Sequence, residues 1–359
     1  MSNITEIDKN FKVEADIGKD DVVFFDVLDE PFRIYGVIYE DGMFRRMPQS
    51  VADSVSVNVG TLNLHTAGGR VRFKTDSPYV AIVVKMNTVW KMQHFAMTGA
   101  SGFDMYIKRE QREVYKNTFM PPVDLVDGYN SVLDTGDTSM KEITINFPLY
   151  SGVSSLYIGL AKDAKLERAE DYTIEKPVVF YGSSITQGGC ASRPGNAYEG
   201  FLGRRFDFNH INLGFAGNAK GEDSIADYVS GLDMSMFVYD YDHNAPNPEH
   251  LAATHEKMFK KVRAAHPDMP IIMLTRPRIY LTDEEVRRRK VVEQTYRNAM
   301  AAGDKNVYCI IGKDLMQYTD NEGSVDNCHP NDLGFASMSK VIGDMIEEMG
   351  LFELTEAEN

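Results

Sequence analysis

Three side chains in the second half of this 359-residue sequence have the types and spacing needed for nucleophilic catalysis. Asp326 and His329 lie three residues apart, so the carboxylate can hold Nδ1 of the imidazole and leave Nε2 as a base. Ser184 follows an apolar run that ends in Tyr181-Gly182-Ser183. A serine between a strand end and a helix start exposes its hydroxyl and offers its own N–H to an oxyanion. Together these residues predict a serine nucleophile with a histidine base.

Two further residues could complete an oxyanion hole. Gly217 and Asn244 each follow an apolar run. A glycine lets the backbone approach a ligand closely, and an asparagine amide can donate a hydrogen bond, which an aspartate cannot do. Each residue taken alone, Ser184 included, also has a simpler explanation as part of a turn or a helix entry. The order serine, glycine, asparagine, Asp-x-x-His, each at an expected strand end, favours a catalytic site over coincidence.

The elements that must hold these residues alternate between strands and helices from Pro177 onward. Asn247-Pro248 is typical of a helix start, Thr282 and Glu285 form a capping-box pattern, and residues 334–349 carry apolar side chains at helical spacing. This alternation predicts a parallel sheet, in which ligands bind beyond the carboxyl ends of the strands. The five expected strands are residues 178–181, 211–215, 236–241, 271–275 and 307–311.

The first 160 residues show a different pattern. Short runs rich in Val, Ile, Phe and Tyr are separated by Gly, Asp, Asn and Pro, without long helical periodicity. The pattern predicts an antiparallel β-sandwich or jelly roll. The expected strands are residues 22–27, 32–39, 54–59, 62–66, 71–74, 79–85, 103–108, 142–147 and 156–160.

Residues 176–350 resemble an SGNH (GDSL-type) hydrolase, a family whose four sequence blocks contribute Ser, Gly, Asn and His. The resemblance implies a flavodoxin-like three-layer α/β/α domain. It also implies that Ser184 is the nucleophile, that His329 is the base and that Asp326 orients the base. The Gly-x-Ser-x-Gly elbow of α/β-hydrolases is disfavoured because no glycine stands two residues after the serine.

The same resemblance assigns the oxyanion donors. They are the backbone N–H groups of Ser184 and Gly217 and the side chain of Asn244. Ser183 stands where the family usually has the Asp of Gly-Asp-Ser. Because that Asp is not a member of the triad, the departure changes the expected local hydrogen bonding and not the expected catalysis.

The N-terminal part strengthens the resemblance. Gly102-Phe103-Asp104-Met105-Tyr106 is similar to the GxDLY motif of a β-domain that precedes one group of SGNH esterases. The layout is also similar to carbohydrate esterase family two, which removes acetyl groups from plant polysaccharides. We expect a β-sandwich domain over 1–165, a connector over 166–176, the hydrolase domain over 177–352 and an acidic tail over 353–359.

Composition excludes several classes of function. Lys and Arg number 38 and Asp and Glu 53, a net charge of −15, which disfavours nucleic-acid binding. The apolar runs are too short to span a membrane, and the first residues have neither the basic nor the apolar region of a signal peptide. Three cysteines do not form a disulfide framework. We therefore expect a cytoplasmic protein that binds neither nucleic acid nor membranes.

Three other residues are weaker candidates for substrate binding. Trp90 and His94 lie in an aromatic and methionine-rich segment that could lean over the site, although a place in the core or a domain interface explains them equally well. Arg193 could meet a polar substrate, although a solvated arginine is the simpler interpretation. No histidine spacing indicates a metal site and no glycine pattern indicates a dinucleotide, so we expect neither metal nor organic cofactor. A thiol protease using Cys328 is disfavoured because a second histidine and asparagine arrangement is missing.

The expected function is a serine esterase that acts on short acyl groups, acetyl above all, of a carbohydrate or oligosaccharide. A thioesterase or lysophospholipase acting on longer chains is the alternative enzyme. A non-catalytic glycan-binding protein is the alternative from another class. Hydrophobic loops of the β-domain could also support a homo-oligomer.

Overall fold

Residues 17–352 of the chain are described by a computed structural model. Residues 1–16 and the expected acidic tail, 353–359, lie outside the described residues. The described chain contains antiparallel sheets in its N-terminal part and one parallel sheet in its C-terminal part. No helix within residues 17–352 has the length and apolar character needed to cross a bilayer.

Two antiparallel sheets pack face to face in the N-terminal part. The first has the order β1 (Val22–Asp26), β11 (Gly152–Ala161), β6 (Tyr79–Thr88) and β9 (Gly128–Asp134). The second has the order β12 (Leu166–Glu167), β5 (Arg70–Thr75), β10 (Lys141–Asn146), β7 (Phe103–Arg109) and β8 (Arg112–Phe119), with β2 (Arg33–Tyr35) also paired to β5. A small ribbon joins β3 (Ile38–Glu40) to β4 (Met43–Arg45). Buried side chains of both sheets, such as Phe73 and Ile82, share one core, which confirms the predicted sandwich.

The prediction of strands at residues 54–59 and 62–66 is wrong. Residues 49–62 form two short helices instead, α1 (Gln49–Val55) and α2 (Val57–Leu62), and the Ser56 side chain caps the second by accepting a hydrogen bond from the Val59 N–H at 3.1 Å. The alternating valines that suggested a strand do not share one environment, since Val57 is 84% exposed and Val59 is 1% exposed. Packing against the C-terminal part therefore overrides the local β-pattern.

Two strands of the sandwich carry too few apolar residues to be seen in the sequence. β8 is largely polar or charged and lies at the edge of its sheet, and β9 is the edge strand of the other sheet. Edge strands are stabilised by backbone pairing with one neighbour, so their side chains need not alternate between core and solvent. Leu166–Glu167, expected within the connector, pairs with β5 and so extends the second sheet.

A five-stranded parallel sheet organises the C-terminal part. Its order is β14 (Phe208–Gly214), β13 (Ile174–Gly182), β15 (Met236–Asp240), β16 (Ile271–Leu274) and β17 (Val307–Ile310). All neighbouring pairs run parallel, and the order is that of a flavodoxin-like sheet. The five predicted strands are confirmed, with ends that differ by a few residues.

Helices cover both faces of this sheet, as the three-layer prediction required. A short helix, α3 (Met97–Ala100), belongs to the N-terminal part. The helices after β13 are α4 (Tyr198–Phe206), α5 (Asp223–Ser230), α6 (Pro248–Ala265), α7 (Asp283–Ala301), α8 (Gly312–Leu315) and α9 (Asp332–Glu348). α4 and α9 share a core with one face of the sheet, and α5, α6 and α7 share a core with the other. The side chains of Asn247 and Thr282 cap α6 and α7, as predicted.

The two parts of the chain meet through buried polar contacts as well as apolar ones. Asp104, which is fully buried, accepts hydrogen bonds from Arg193 Nη1 at 2.9 Å and from the Gly195 N–H at 2.8 Å. The Arg193 guanidinium also bonds to the Tyr106 hydroxyl and lies 3.8 Å from the centroid of the Tyr115 ring. The Asp and Tyr of the GxDLY-like segment therefore anchor the loop that follows Ser184.

Replacing Asp104 should weaken the anchor strongly. In Asp104→Ala the Arg193 guanidinium loses its buried carboxylate, and removing one partner of such a pair costs about 3 kcal/mol or more. Unfolding by urea, followed by circular dichroism, measures the loss. Asp233→Ala is the matched control because Asp233 pairs with Lys176 while both side chains are largely exposed. Equal destabilisation by the two substitutions would contradict the anchor.

Candidate active site

Ser184 lies in a tight turn directly after β13. The strand ends at Gly182, where a Cβ would collide with Thr186 Oγ1 and the Asp240 carbonyl. The Ser183 N–H donates to the Asp240 carbonyl at 3.1 Å, and the Ser183 hydroxyl accepts from the Ile185 N–H at 3.1 Å. Ser183 thus takes part in fixing the turn that presents the Ser184 side chain.

The turn brings Ser184 to the segment with Asp326 and His329. Ser184 Oγ lies 2.9 Å from His329 Nε2, and His329 Nδ1 lies 2.8 Å from Asp326 Oδ2. The other carboxylate oxygen accepts from the backbone N–H groups of His329 at 2.7 Å and Cys328 at 3.0 Å. The three side chains form one hydrogen-bonded series that ends on the serine hydroxyl.

The contacts of Asp326 keep it ionised. Partial burial would raise its pKa, but the hydrogen bonds from the backbone and ring of His329 and from the Cys328 N–H lower the pKa to about 2. An ionised carboxylate can only accept hydrogen bonds, so the proton between the two residues resides on Nδ1 of His329. Nε2 is then free to accept the proton of Ser184.

Gly217 and Asn244 lie beside the serine on the loops that follow the two neighbouring strands. Both line the same cleft as Ser184 and His329. Gly217 has φ +67°, in the left-handed region, and is exposed, so its backbone is open to a ligand. The Asn244 side-chain amide donates one hydrogen bond to the Phe215 carbonyl at 3.1 Å. A primary amide has two hydrogens, so the second remains available.

A buried arginine from the N-terminal part braces the Gly217 loop. Arg46 donates to the Gly214 carbonyl and, at 2.6 Å, to the Leu62 carbonyl, and its guanidinium lies 4.4 Å from the Phe215 ring centroid. Burial lowers the pKa of Arg46 to about 9. Gln187 adds a second brace, because its Oε1 accepts from the Ala216 N–H at 3.1 Å.

The N-terminal part also supplies one wall of the cleft. Trp90, Met92, His94 and Phe95, all from the segment between β6 and α3, line it together with Tyr150. His94 Nε2 lies 3.9 Å from Asp326 Oδ2, and its ring centroid lies 5.6 Å from that of His329. Trp90 is 38% exposed and stands edge-on to His65. The structure therefore places Trp90 and His94 beside the serine.

Arg193 is not among the residues that line the cleft. Its guanidinium is held by Asp104, Tyr106 and Tyr115, as described above, and only 19% of the side chain is exposed. The structure therefore places Arg193 between the two parts of the chain and not in the cleft, so it is not a freely solvated arginine, and its expected contact with substrate stays a prediction.

Sequence reasoning missed several residues of the cleft. The Tyr150 hydroxyl donates to the Ser184 carbonyl at 3.2 Å. Arg276 follows the end of β16, so the strand-end argument used for Ser184 and Asn244 could have found it. Tyr150 carried no comparable signal, because only the packing of the two parts brings it to Ser184. The missed lining residues are Tyr150, Ala216, His243, Arg276 and Cys328, whereas Met92 and Phe95 lie in the segment that was expected to lean over the site, and Gly189 and Cys190 lie in the loop after Ser184.

Among residues 17–352, three groups of His, Cys or carboxylate side chains have potential ligand atoms within 4.8 Å of one another. They are His94, Cys190 and His329; Asp326, Cys328 and His329; and Asp240, Asp242 and His243. Two of the groups are already joined by Asp–His hydrogen bonds. The sequence-based expectation of no metal stays a prediction.

The cleft around Ser184 has a volume of about 430 Å³. A larger cavity of about 860 Å³ lies between α6, α7 and the segment after α7. None of the candidate site residues lines it, and it contains no nucleophile with a neighbouring base. The chemistry therefore favours the smaller cleft.

Comparisons with family models place these features in a known context. Residues 175–347 match the GDSL-like Lipase/Acylhydrolase family, and residues 22–166 match the GxDLY domain, the N-terminus of Esterase_SGNH_hydro-type proteins. Residues 175–347 therefore form a GDSL-like lipase/acylhydrolase domain, and residues 22–166 form a GxDLY domain. The resemblance seen in the four sequence blocks and in the Gly102–Tyr106 segment is thereby confirmed.

Several solved structures share the fold of this chain. A protein described as a GDSL-like lipase from Bacteroides ovatus has 28% identity and a TM-score of 0.84, over 93% of this chain and 100% of that one. A salicylyl-acyltransferase from a tetracycline biosynthetic pathway has 18% identity and a TM-score of 0.74, over 92% and 98%. A family two carbohydrate esterase from Clostridium thermocellum, in complex with cellohexaose, has 13% identity and a TM-score of 0.57, over 80% and 94%. No protein with a curated description matches the chain.

The position of Trp90 provides a direct test of the cleft of this GDSL-like protein. A fluorophosphonate should label Ser184 alone, because His329 lies within 2.9 Å of its hydroxyl. Trp90 is the only tryptophan, so the adduct should change the intrinsic tryptophan emission. Mass spectrometry and fluorescence measure the two effects, and Ser184→Ala, treated identically, should show neither. A label on another residue, or an adduct that leaves the emission unchanged, would contradict the geometry.

Proposed function

We propose that this GDSL-like hydrolase is a serine esterase that removes short acyl groups, chiefly acetyl, from carbohydrates or oligosaccharides through an acyl-enzyme. The observation that carries the proposal is the hydrogen-bonded series from Asp326 through His329 to Ser184 in an open cleft. A glycine and an asparagine amide stand beside the serine in that cleft.

Acylation begins when His329 Nε2 accepts the proton of the Ser184 hydroxyl. The oxygen attacks the ester carbonyl carbon, and the ionised Asp326 stabilises the imidazolium that forms. The oxyanion of the tetrahedral intermediate is stabilised by the N–H groups of Ser184 and Gly217 and by the second hydrogen of the Asn244 amide.

The protonated His329 then donates its proton to the leaving alcohol, and the acetyl group remains on Ser184. Water attacks the acyl-enzyme while His329 accepts its proton, and His329 then returns the proton to the Ser184 oxygen as the acid is released. An alcohol in place of water would give acyl transfer. Assays should therefore measure both released acetate and newly acetylated alcohol.

The cleft supports a small polar ester as substrate. Its volume of about 430 Å³ lies within the usual range of about 300–1,000 Å³ for small-molecule sites. Trp90 offers an exposed aromatic surface on which a sugar ring can stack. The net charge of −15 disfavours an anionic lipid head group. The layout shared with a family two carbohydrate esterase adds support for a carbohydrate ester.

Replacing the proposed nucleophile should lower kcat more than replacing a proposed oxyanion donor. Ser184→Ala removes the nucleophile and should lower kcat by at least about 10⁴-fold. Asn244→Ala removes one oxyanion donor and should lower kcat by about 10²–10³-fold, leaving measurable activity. Steady-state hydrolysis of 4-nitrophenyl acetate measures both, with melting temperatures as a control for folding. Near-wild-type hydrolysis by Ser184→Ala would overturn the mechanism.

A substrate panel tests the acyl and alcohol preferences. We expect hydrolysis of 4-nitrophenyl acetate to exceed that of the octanoate, and we expect acetate release from acetylated xylo- or manno-oligosaccharides. The apolar wall formed by Trp90, Met92 and Phe95 would instead serve a thioesterase or lysophospholipase if octanoate were the faster substrate. Glycan binding without release of acetate and without fluorophosphonate labelling would indicate a non-catalytic binding protein.

A further inference from the structure

A buried aspartate orients two residues of the cleft that have no part in the mechanism above. Asp242 lies just after β15, and only 3% of its side chain is exposed. Its Oδ1 lies 3.0 Å from His243 Nδ1, and its Oδ2 accepts from the Arg276 N–H at 3.1 Å. Burial alone would raise the pKa of Asp242, but the hydrogen bonds from His243 and from the Arg276 N–H lower it. The group is therefore a carboxylate.

This carboxylate determines which nitrogen of His243 can accept a hydrogen bond. Because a carboxylate only accepts, a proton shared with it resides on Nδ1, and in this tautomer Nε2 is an acceptor. His243 lines the cleft with 7% of its side chain exposed. Its buried Nε2 has no hydrogen-bond partner within residues 17–352. A buried acceptor without a partner is costly, and a substrate donor would satisfy it.

Arg276 supplies an unused donor in the same cleft. Its Nη1 bonds to Glu285 Oε1 at 2.5 Å, and Arg278 bonds to the same oxygen at 2.8 Å. The other oxygen of Glu285 accepts from the Thr282 N–H and hydroxyl in the capping box of α7. Nε of Arg276 has no hydrogen-bond partner in the described part of the chain. The guanidinium is thus fixed in place while one N–H remains unsatisfied.

We propose that His243 and Arg276 form a hydroxyl-selective subsite for the alcohol half of the ester, with Asp242 as the residue that positions both. A hydroxyl group, or two adjacent ones, can donate to His243 Nε2 and accept from the Arg276 N–H. A carboxylate has no proton to donate and would face the lone pair of Nε2, and an alkyl group would leave both nitrogens unpaired. The inference rests on the proposed ester hydrolysis at Ser184 and adds the kind of alcohol that is released.

The position of Arg276 relates the subsite to the leaving group. Arg276 lines the cleft together with Cys328 and His329, which are adjacent in the chain. The leaving alcohol must lie within reach of His329 Nε2 in order to take up its proton. A hydroxyl on that alcohol, two carbons from the ester oxygen, is therefore the group that this wall of the cleft would meet.

Three small acetate esters test the subsite without knowledge of the natural substrate. They are 2-hydroxyethyl acetate, propyl acetate and 3-acetoxypropanoate, which carry a hydroxyl, a methyl and a carboxylate at comparable positions. Each kcat/KM is divided by the rate constant for hydroxide-catalysed hydrolysis, which removes differences in intrinsic reactivity. We expect the normalised value for the hydroxyethyl ester to exceed that for the propyl ester by about 10-fold, as one or two hydrogen bonds would produce. The carboxylate should be the poorest of the three.

Variants of His243 assign the preference to the subsite. His243→Phe keeps a ring but removes the acceptor, so the hydroxyethyl to propyl ratio should fall to about 1, and the amide oxygen of His243→Gln should restore part of it. His266→Phe is the matched control, because His266 bonds to the Ser230 carbonyl and does not line the cleft. If His243→Phe does not fold, the normalised kcat/KM values of the wild-type protein for the three esters test the subsite by themselves.

Each result has a separate meaning. Equal normalised rates for the hydroxyethyl and propyl esters would overturn the subsite while leaving the esterase intact. Preference for the carboxylate would overturn it in favour of an anion site on Arg276. A hydroxyl preference that survives His243→Phe would overturn the assignment to His243. Failure to hydrolyse any acetate ester would overturn the proposed function and, with it, the subsite.

Discussion

The site depends on one geometric constraint, the parallel direction of the five strands in the C-terminal sheet. In register, Gly182 stands opposite Gly214 on one side and Asp240 on the other, so three strands end at the same level. The loop with Ser184 therefore leaves the sheet between the loops with Gly217 and Asn244. A serine hydroxyl flanked by donors on both sides follows from this strand order, because β13 lies between β14 and β15.

The N-terminal part contributes residues that line and support the cleft. Arg46 reaches beneath the Gly217 loop, and its burial is tolerated because carbonyl groups of both parts of the chain accept its hydrogen bonds. The Trp90–Phe95 segment lines the cleft, and Asp104 holds the loop after Ser184. Separating the two parts would therefore remove a wall, a brace and an anchor together.

The sequence predicted elements best where local chemistry and tertiary packing agree. The capping residues of α6 and α7 and the apolar strands of the buried parallel sheet were found because each leaves its own pattern. The strand prediction for residues 54–59 failed because their alternating valines resemble a β-pattern by chance. Burial of Val59 against the other part of the chain favours the helix α2 instead. The sequence did not predict β8 and β9 because an edge strand depends on backbone pairing more than on apolar side chains.

For the candidate site, the sequence alone determined the types of groups present and their order: a serine, a glycine, an asparagine and an Asp-x-x-His pair at expected strand ends. Only the tertiary structure decided which other residues share their cleft. Arg193 lies against Asp104 and outside the cleft, whereas Tyr150, His243 and Arg276 line the cleft together with Ser184. The physical reason is that hydrogen-bond partners and burial belong to pairs of residues far apart in the chain. The spacing of residues within one segment can predict a contact such as that between Asp326 and His329. It cannot predict one between residues as far apart in the chain as Asp242 and Arg276.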